Sequence, residues 1–216
     1  DTIVEDIERE FRGLATLGRS LGLTESPADL DHYLGASGEP RTIHRDRARQ
    51  FGPIREAEHV NESRQEIDFI DPKKHGKALA NLKDGETIHF EHNFDRDYGN
   101  WDFAKQVLDP ETRDFAIAFG NTKLATKGKF AATRVGDEIH IEGNVGHYWD
   151  DNYDFYPERY AGLGGFKARD AAILEQHGRA KPFARKSSWP RRVSGKVRLE
   201  NGRLKDPTFT WEDIDQ

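Results

Sequence analysis

The densest group of polar side chains in the 216-residue chain is the heptapeptide Trp149–Phe155, Trp-Asp-Asp-Asn-Tyr-Asp-Phe. Asp150, Asp151 and Asp154 place three carboxylates within five residues. Carboxylates this close repel one another unless they are solvated, protonated or bound to a cation. The segment lacks the glycine and the twelfth-position glutamate of an EF-hand calcium loop. Two interpretations remain open: an acidic turn that ends a strand, or a site for a divalent cation.

Composition narrows the class of protein and its partners. The chain has 33 basic and 39 acidic residues and a net charge of -6, which disfavours a nucleic-acid partner. It has no cysteine, which excludes disulfides and thiolate metal sites. No apolar run approaches the roughly 18 residues that a membrane span needs, so no transmembrane segment is predicted. The start at Asp1 suggests a domain excised from a longer polypeptide.

The first third of the sequence predicts helices. A first amphipathic helix, ended by Gly22, is indicated by apolar residues three and four positions apart: Ile3, Ile7, Phe11, Leu14, Leu17 and Leu21. A second begins with Ser26 as N-cap and ends at Gly35. A third runs from Ile54 towards Ile67 with its charges on the solvent side, and Asp71-Pro72 ends it.

From Thr87 onwards the period changes to two, which predicts strands. Strands are expected at Thr87–Phe90, at Phe115–Phe119 and at Thr122–Thr133, the last with a bulge at Gly128. In the next strand, alternate residues are predicted to lie on one buried face: Ile139, Ile141, Val145, His147 and Trp149. His147 therefore favours a role in the core over one in catalysis.

The C-terminal part predicts one more helix, Ala168–His177, and a hairpin that turns at Asn201-Gly202. Helices followed by antiparallel strands define an α+β fold. We expect N-terminal helices packed on a C-terminal antiparallel, partly open, β-barrel-like sheet. Residues 1–72 would form the helical region and residues 73–216 the β-rich catalytic region, together one domain.

The segment Asp151–Phe155 resembles the Asp-x-Tyr-Asp-Phe active-site motif of the colicin M-like bacteriocin family. Upstream, Phe119–Leu124 and Thr126–Gly128 are similar to the Gly-Asn and Thr-x-Gly strands that precede this motif in the family. Gly143–Val145 lies at the corresponding distance before it. A helix-and-loop segment that opens the family's activity domain is similar to His32–Leu34 with Gly38, Glu39 and Arg41. The likeness covers roughly residues 29–155.

This resemblance implies an antibacterial toxin that hydrolyses lipid II, the undecaprenyl-pyrophosphate-linked peptidoglycan precursor, at the lipid–pyrophosphate bond. The implied cofactor is Mg²⁺ or another divalent cation, and the cation suits a substrate that carries two negative charges. Such a toxin is secreted or delivered by a secretion system, acts in the periplasm of a target bacterium, and is paired with an immunity protein.

The resemblance also assigns residues. Asp154 is expected to be the main catalytic carboxylate, as metal ligand or as general base, and Asp151 a second metal ligand. Tyr153 would either hydrogen-bond a phosphoryl oxygen or pack in the core. Where the family continues with a His-Arg pair, this chain has Tyr160 and Ala161.

The chain therefore departs from the family at the position of that pair. Arg159, one residue earlier, is the candidate cation for the developing phosphate charge. His177 either replaces the missing histidine or interacts with the dipole at a helix C-terminus.

Three questions stay open, concerning the basic stretch, the glycine run and the use of the carboxylates. The basic stretch Lys181–Arg192 either contacts phosphates or is a solvated face, and Gly162–Gly165 is either a lid or a flexible connector. The carboxylates could serve a metal-dependent nuclease or another phosphoesterase toxin domain. They could also hold a metal structurally in a non-enzymatic binding module.

Overall fold

A computed structural model describes residues 2–98, 108–110, 113–114, 122–153 and 168–215. The predicted strand Phe115–Phe119 and the glycine run Gly162–Gly165 lie outside these residues. The described elements are, in chain order, α1 (Thr2–Ser20), α2 (Glu25–Leu34), β1 (Arg41–Thr42), α3 (Arg45–Arg49), α4 (Gly52–Ile70), α5 (Gly76–Ala80), β2 (Thr87–Tyr98), β3 (Thr122–Val135), β4 (Glu138–Tyr153), α6 (Ala168–Gln176), β5 (Phe183–Glu200) and β6 (Arg203–Asp213).

The described strands form one mixed sheet. The strand order is β1-β5-β4-β3-β2, and β6 pairs with β5. The β5–β6 pair is antiparallel, with the turn at Asn201 and Gly202, whose φ angles of 52° and 73° suit a tight hairpin. The α+β class and this hairpin are confirmed, and the described sheet is not closed into a barrel. The sheet is not wholly antiparallel, because the two-residue β1 runs parallel to β5.

The chain divides into two compact units. The first unit comprises Asp1–Gly52, Tyr98–Lys123 and Asp150–Ser187, and the second comprises Pro53–Asp97, Leu124–Trp149 and Ser188–Gln216. The sequence-based division into 1–72 and 73–216 follows chain order, whereas these units are discontinuous. Strands β4 and β5 each contribute residues to both.

Helices α1 and α2 and the C-terminal α6 supply most of the core of the first unit. The predicted bounds of α1 are confirmed, but its predicted buried face is partly wrong. Ile3, Leu17 and Leu21 are exposed, whereas Val4 and Ala15 are buried. The buried stripe follows the 3.6-residue period from Val4 through Phe11 to Ala15, which turns it away from the predicted line.

Helix α2 begins two residues earlier than predicted, because Thr24 and not Ser26 is its N-cap. The Thr24 side chain makes no cap hydrogen bond of its own. Instead, Asp114 accepts hydrogen bonds from the backbone N–H groups of Thr24, Glu25 and Ser26 at 3.0, 2.8 and 3.0 Å. A distant carboxylate therefore satisfies the amides that a helix N-terminus leaves without partners.

The core of the second unit contains Phe69 of α4 and apolar residues of the strands. The predicted alternation in β4 is confirmed, since Ile139, Ile141, Val145, His147 and Trp149 are all buried. Gly128 lies in β3 where an added Cβ would come within 2.3 Å of the Phe130 ring, so the glycine leaves space for that ring. The bulge predicted at Gly128 stays a prediction.

The prediction that α4 turns its charges to solvent is partly wrong. Arg55, Glu56 and Arg64 are exposed. The buried face of the helix nevertheless carries five polar residues, Glu58, Asn61, Glu62, Gln65 and Asp68. No described helix is long and apolar enough to cross a membrane.

Replacing Asp114 by Ala is expected to lower the free energy of unfolding by about 2 kcal/mol, because three amides at the start of α2 lose their acceptor. Burial alone would raise the pKa of Asp114, but the hydrogen bonds from Glu25, Ser26 and Thr24 outweigh it and hold the pKa below its ordinary value of 3.8. The contribution is therefore complete only well above that ordinary value and is lost as the pH falls through the lowered value. Urea unfolding between pH 2.5 and 7 measures it. An equal effect of Asp46→Ala, an exposed carboxylate, would contradict the assignment.

Two glycines of β4 form a matched pair. A Cβ at Gly143 would lie 2.3 Å from the backbone oxygen of Lys129, whereas one at Gly146 would meet the flexible, exposed Tyr148 side chain. Gly143→Ala is expected to lower the free energy of unfolding by about 1–3 kcal/mol, and Gly146→Ala by much less. Thermal unfolding of both variants tests the difference, and equal losses would refute it.

Candidate functional site

The last residues of β4 place Asp151 and Tyr153 in the first unit. Both continue the inward series of the strand, so Tyr153 is buried and the Asp151 side chain is 18% exposed. Asp154 and Arg159, the other predicted site residues, lie outside the described residues. Of the predicted set, the structure therefore positions Asp151 and Tyr153.

Asp151 is held by a buried guanidinium. Nη2 of Arg185 donates to Oδ2 of Asp151 at 2.5 Å, and Nη1 donates to Oδ2 of Asp29 at 2.8 Å. Arg185 is 1% exposed and Asp29 is fully buried. Strand β5 turns Arg185 inward, and the parallel pairing of Arg41 with Arg185 brings β1 alongside. In the described part of the chain, the basic group that contacts Asp151 is Arg185. The sequence had placed Arg185 in a stretch that was expected to be solvated or to contact phosphates.

The ion pairs continue from Asp29 to the start of α2. Arg41 pairs with Asp29 at 2.6 Å and with Glu25 at 3.0 Å. Arg47 then joins Glu25 at 3.2 Å to Asp114 at 3.2 Å. We call Asp151, Arg185, Asp29, Arg41, Glu25, Arg47 and Asp114 the charge chain. Its alternating signs let buried ions offset one another's desolvation.

Asp29 is the most deeply buried carboxylate of the charge chain. Burial raises the pKa of Asp29 above its ordinary value, and the guanidinium groups of Arg185 and Arg41 oppose that rise. Removing either arginine would leave a buried charge with one partner fewer. The charge chain therefore holds Arg185 rigidly, and Arg185 in turn fixes the Asp151 carboxylate.

Tyr153 packs in the core of the first unit. Its ring stacks on Phe183 with centroids 5.0 Å apart and meets Tyr33 edge-on at 5.8 Å. The guanidinium carbon of Arg185 lies 5.3 Å from the centroid of the same ring. The packing role left open by the sequence is thus observed. The hydrogen bond to a phosphoryl oxygen stays a prediction.

His177 follows α6 and makes a local contact. Its Nδ1 lies 2.8 Å from the backbone oxygen of Ile173, one turn earlier, and the ring is exposed. A histidine at a helix C-terminus interacts favourably with the unpaired carbonyls there. This geometry is that of the helix-terminal interpretation of His177.

A second polar cluster lies in the second unit, between α4 and the sheet. One ligand atom each of Glu58, Glu62 and His147 lies within 4.8 Å of the others, and all three residues are buried. Among the described residues, they form a group of three His, Asp or Glu side chains that lie close enough together to share one metal ion. The sequence did not identify the cluster, although Glu58 and Glu62 continue the helical spacing of Ile54 at four-residue intervals.

Hydrogen-bond polarity shows how this cluster is satisfied. The ionised carboxylate of Glu62 only accepts, so Nε2 of His147, 3.1 Å away, carries the proton and donates to it. Nδ1 of the neutral ring then accepts from the Thr126 hydroxyl at 2.9 Å, and Oγ1 of Thr126 accepts from Asn61 at 2.8 Å. A protonated Nε2 has no lone pair for a metal. The cluster is therefore consistent with a complete hydrogen-bond chain that needs no ion.

Arg191 and Trp189 of β5 complete the hydrogen bonding of this cluster. Arg191 donates to both carboxylate oxygens of Glu62, at 2.8 and 3.2 Å, and the Trp189 indole donates to Glu58 at 2.5 Å. Burial alone would raise the pKa of Glu62, but the hydrogen bonds from His147 and Arg191 outweigh it and keep the pKa below its ordinary value. The predicted core role of His147 is observed.

The exposed face of the sheet in the second unit forms an open groove of about 610 Å³. Its lining includes Lys129 and Arg192 together with Glu91 and Glu142. Charges of both signs alternate across it, which favours neither an anionic nor a cationic ligand.

Comparison with known proteins adds no relative to this description. No family model matches the chain, and no curated protein or solved structure is significantly similar to it.

Proposed function

We propose that the chain is an antibacterial toxin domain that hydrolyses lipid II at the bond between the undecaprenyl chain and the pyrophosphate. The observation that carries the proposal is the sequence motif Asp151–Phe155, whose first three residues end β4 and whose first carboxylate is held by a buried arginine. Water is the second substrate, and the products are undecaprenol and the pyrophosphate-linked disaccharide peptide.

The donor set at the motif suits a hard divalent cation. A carboxylate has two oxygens and about four lone-pair sites, so one that accepts from an arginine, as Asp151 does from Arg185, can also ligate a cation. Its side chain is 18% exposed, which keeps it accessible from solvent. Asp151 and Asp154 would hold Mg²⁺, which would offset the charge of the pyrophosphate and polarise its oxygens.

In this mechanism each residue at the motif has a defined role. Arg185 orients Asp151 from the buried side, and Asp29 fixes Arg185. Asp154 accepts a proton from the attacking water. Arg159 supplies positive charge where the phosphate becomes more negative. A target site on a membrane-bound precursor places the reaction in the periplasm, and the producing cell would need an immunity protein there.

Replacement of Asp154 by Ala is expected to reduce lipid II hydrolysis by about 10²–10⁴-fold, because the general base and a metal ligand are lost together. The assay measures undecaprenol released from lipid II in detergent with Mg²⁺, and EDTA should abolish release. Asp150→Ala, one residue before Asp151 and exposed, is the matched control and should retain activity.

Three outcomes would contradict the proposal. The first is a folded wild-type protein that leaves lipid II intact under all metal conditions. The second is cleavage of RNA or DNA instead, which would identify a nuclease. The third is binding of a cation that raises stability without any turnover, which would identify a binding module.

Arg185→Lys keeps the buried charge but loses the two-armed donor that joins Asp29 to Asp151. We expect this positioning variant to need about tenfold more Mg²⁺ for half-maximal hydrolysis, since supporting groups of metal ligands typically carry effects of this size. Activity is measured against Mg²⁺ concentration, with Lys186→Ala on the exposed side of β5 as control. An unchanged Mg²⁺ requirement in a folded Arg185→Lys variant would show that Arg185 is purely structural.

A further inference from the structure

At the C-terminal end of α4, in the second unit, His92 of β2 contacts Asp68. Nε2 of His92 lies 2.7 Å from Oδ2 of Asp68, and the two side chains are only 10% and 6% exposed. A carboxylate oxygen accepts, so Nε2 carries the proton and donates it. The lone pair of the neutral imidazole is then on Nδ1, at the other edge of the ring.

Two buried hydrogen-bond acceptors near the His92–Asp68 pair have no donor. In the described part of the chain, neither Nδ1 of His92 nor Oε1 of Gln65 has a hydrogen-bond partner, and both atoms are buried. Gln65 is itself fully buried, and its Nε2 donates to the backbone oxygen of His92 at 3.4 Å, which holds its amide next to the histidine. Buried polar atoms in native proteins are rarely left without a partner, so these two point to a bound ligand.

A second imidazole lies next to the first. The rings of His75 and His92 have centroids 5.5 Å apart and an angle of 60° between their planes. Two imidazoles bound through nitrogen at about 2.0–2.1 Å to one tetrahedral ion have centroids roughly 5 Å apart, so the observed spacing suits a shared ion. His75 precedes α5 and is only partly buried, which gives the pair access from solvent.

The surroundings of His75 favour its neutral form. Burial lowers the pKa of His75, as do the neighbouring His92 and Lys74, while Asp68 opposes them. Arg64 pairs with Oδ1 of Asp68 at 3.3 Å and leaves Oδ2 to His92. Neutral imidazole is the form that ligates metals.

We propose that His75 and His92 bind a divalent transition-metal ion of the Zn²⁺ class, through Nδ1 of His92, with Gln65 Oε1 as a neighbouring oxygen donor. Asp68 holds the opposite nitrogen of His92, the arrangement in which a carboxylate orients a metal-binding histidine. Two imidazoles select zinc, nickel or copper and disfavour magnesium. The site is separate from the Mg²⁺ site of the proposed hydrolase and does not depend on it.

The ion would join the start of α5 to β2. His75 and His92 are 17 positions apart in the chain, so a metal bridge between them closes the loop that contains α5. Such a bridge stabilises the folded chain by mass action, because the ion binds the folded protein better than the unfolded one.

The experiment titrates Zn²⁺ into the metal-stripped full chain by calorimetry and follows imidazole nitrogens by long-range ¹H–¹⁵N NMR. We expect one equivalent to bind, the Nδ1 signal of His92 to shift, and its Nε2 proton to be retained. The midpoint of thermal unfolding should rise with Zn²⁺. A wild-type protein that binds no Zn²⁺, or whose shifted signals belong to His147 and not to His75 and His92, would overturn the proposal.

Variants locate the ligands. His75→Ala and His92→Ala should each weaken Zn²⁺ binding by about tenfold or more, and Asp68→Asn by about 10–100-fold. His89→Ala, on the exposed side of the same strand β2, is the matched control and should bind as the wild type does. Wild-type affinity in folded His75→Ala would refute the site. His75 is only partly buried, so this variant remains decisive if His92→Ala fails to fold.

Discussion

Arg185 lies with its guanidinium almost completely out of water, between the carboxylates of Asp29 and Asp151. Taking an ion out of water costs several kcal/mol, and only partners in good geometry repay that cost. The charge chain supplies them through Arg41 and onward to Asp114 at the start of α2. The position of Asp151 at the end of β4 is therefore tied to the integrity of a helix N-terminus far away in sequence.

Much of the fold could be predicted because its signals are local. Gly22 and Gly35 end α1 and α2, strict alternation defines β4, and Asn201-Gly202 marks the β5–β6 turn. The predicted N-cap of α2 was wrong because the carboxylate that accepts from the first backbone amides of the helix, Asp114, comes from another part of the chain. The parallel β1 was not predicted, since two residues are too short to leave a period in the sequence.

The candidate site was only partly predictable from the sequence. The motif indicated Asp151 and Tyr153, and strand β4 positions both residues and so determines which side chains they contact. Arg185 was not recognised, because a basic residue in a charged stretch is usually solvated and its burial depends on long-range pairing with Asp29. The polar face of α4 was missed for a related reason: the helical period was sought among apolar residues, although Glu58 and Glu62 carry the same period.

The polar face of α4 also limits how that helix can lie on the strands. An apolar helix face can slide along a sheet at little cost, since one methyl group replaces another. A slip by one turn, about 5.4 Å, would part Glu62 from His147 and Arg191 and leave ionised groups in a dry interior. The buried carboxylates are thus satisfied in only one alignment of the helix on the strands. Their desolvation costs some stability, and in return the folded state is unique.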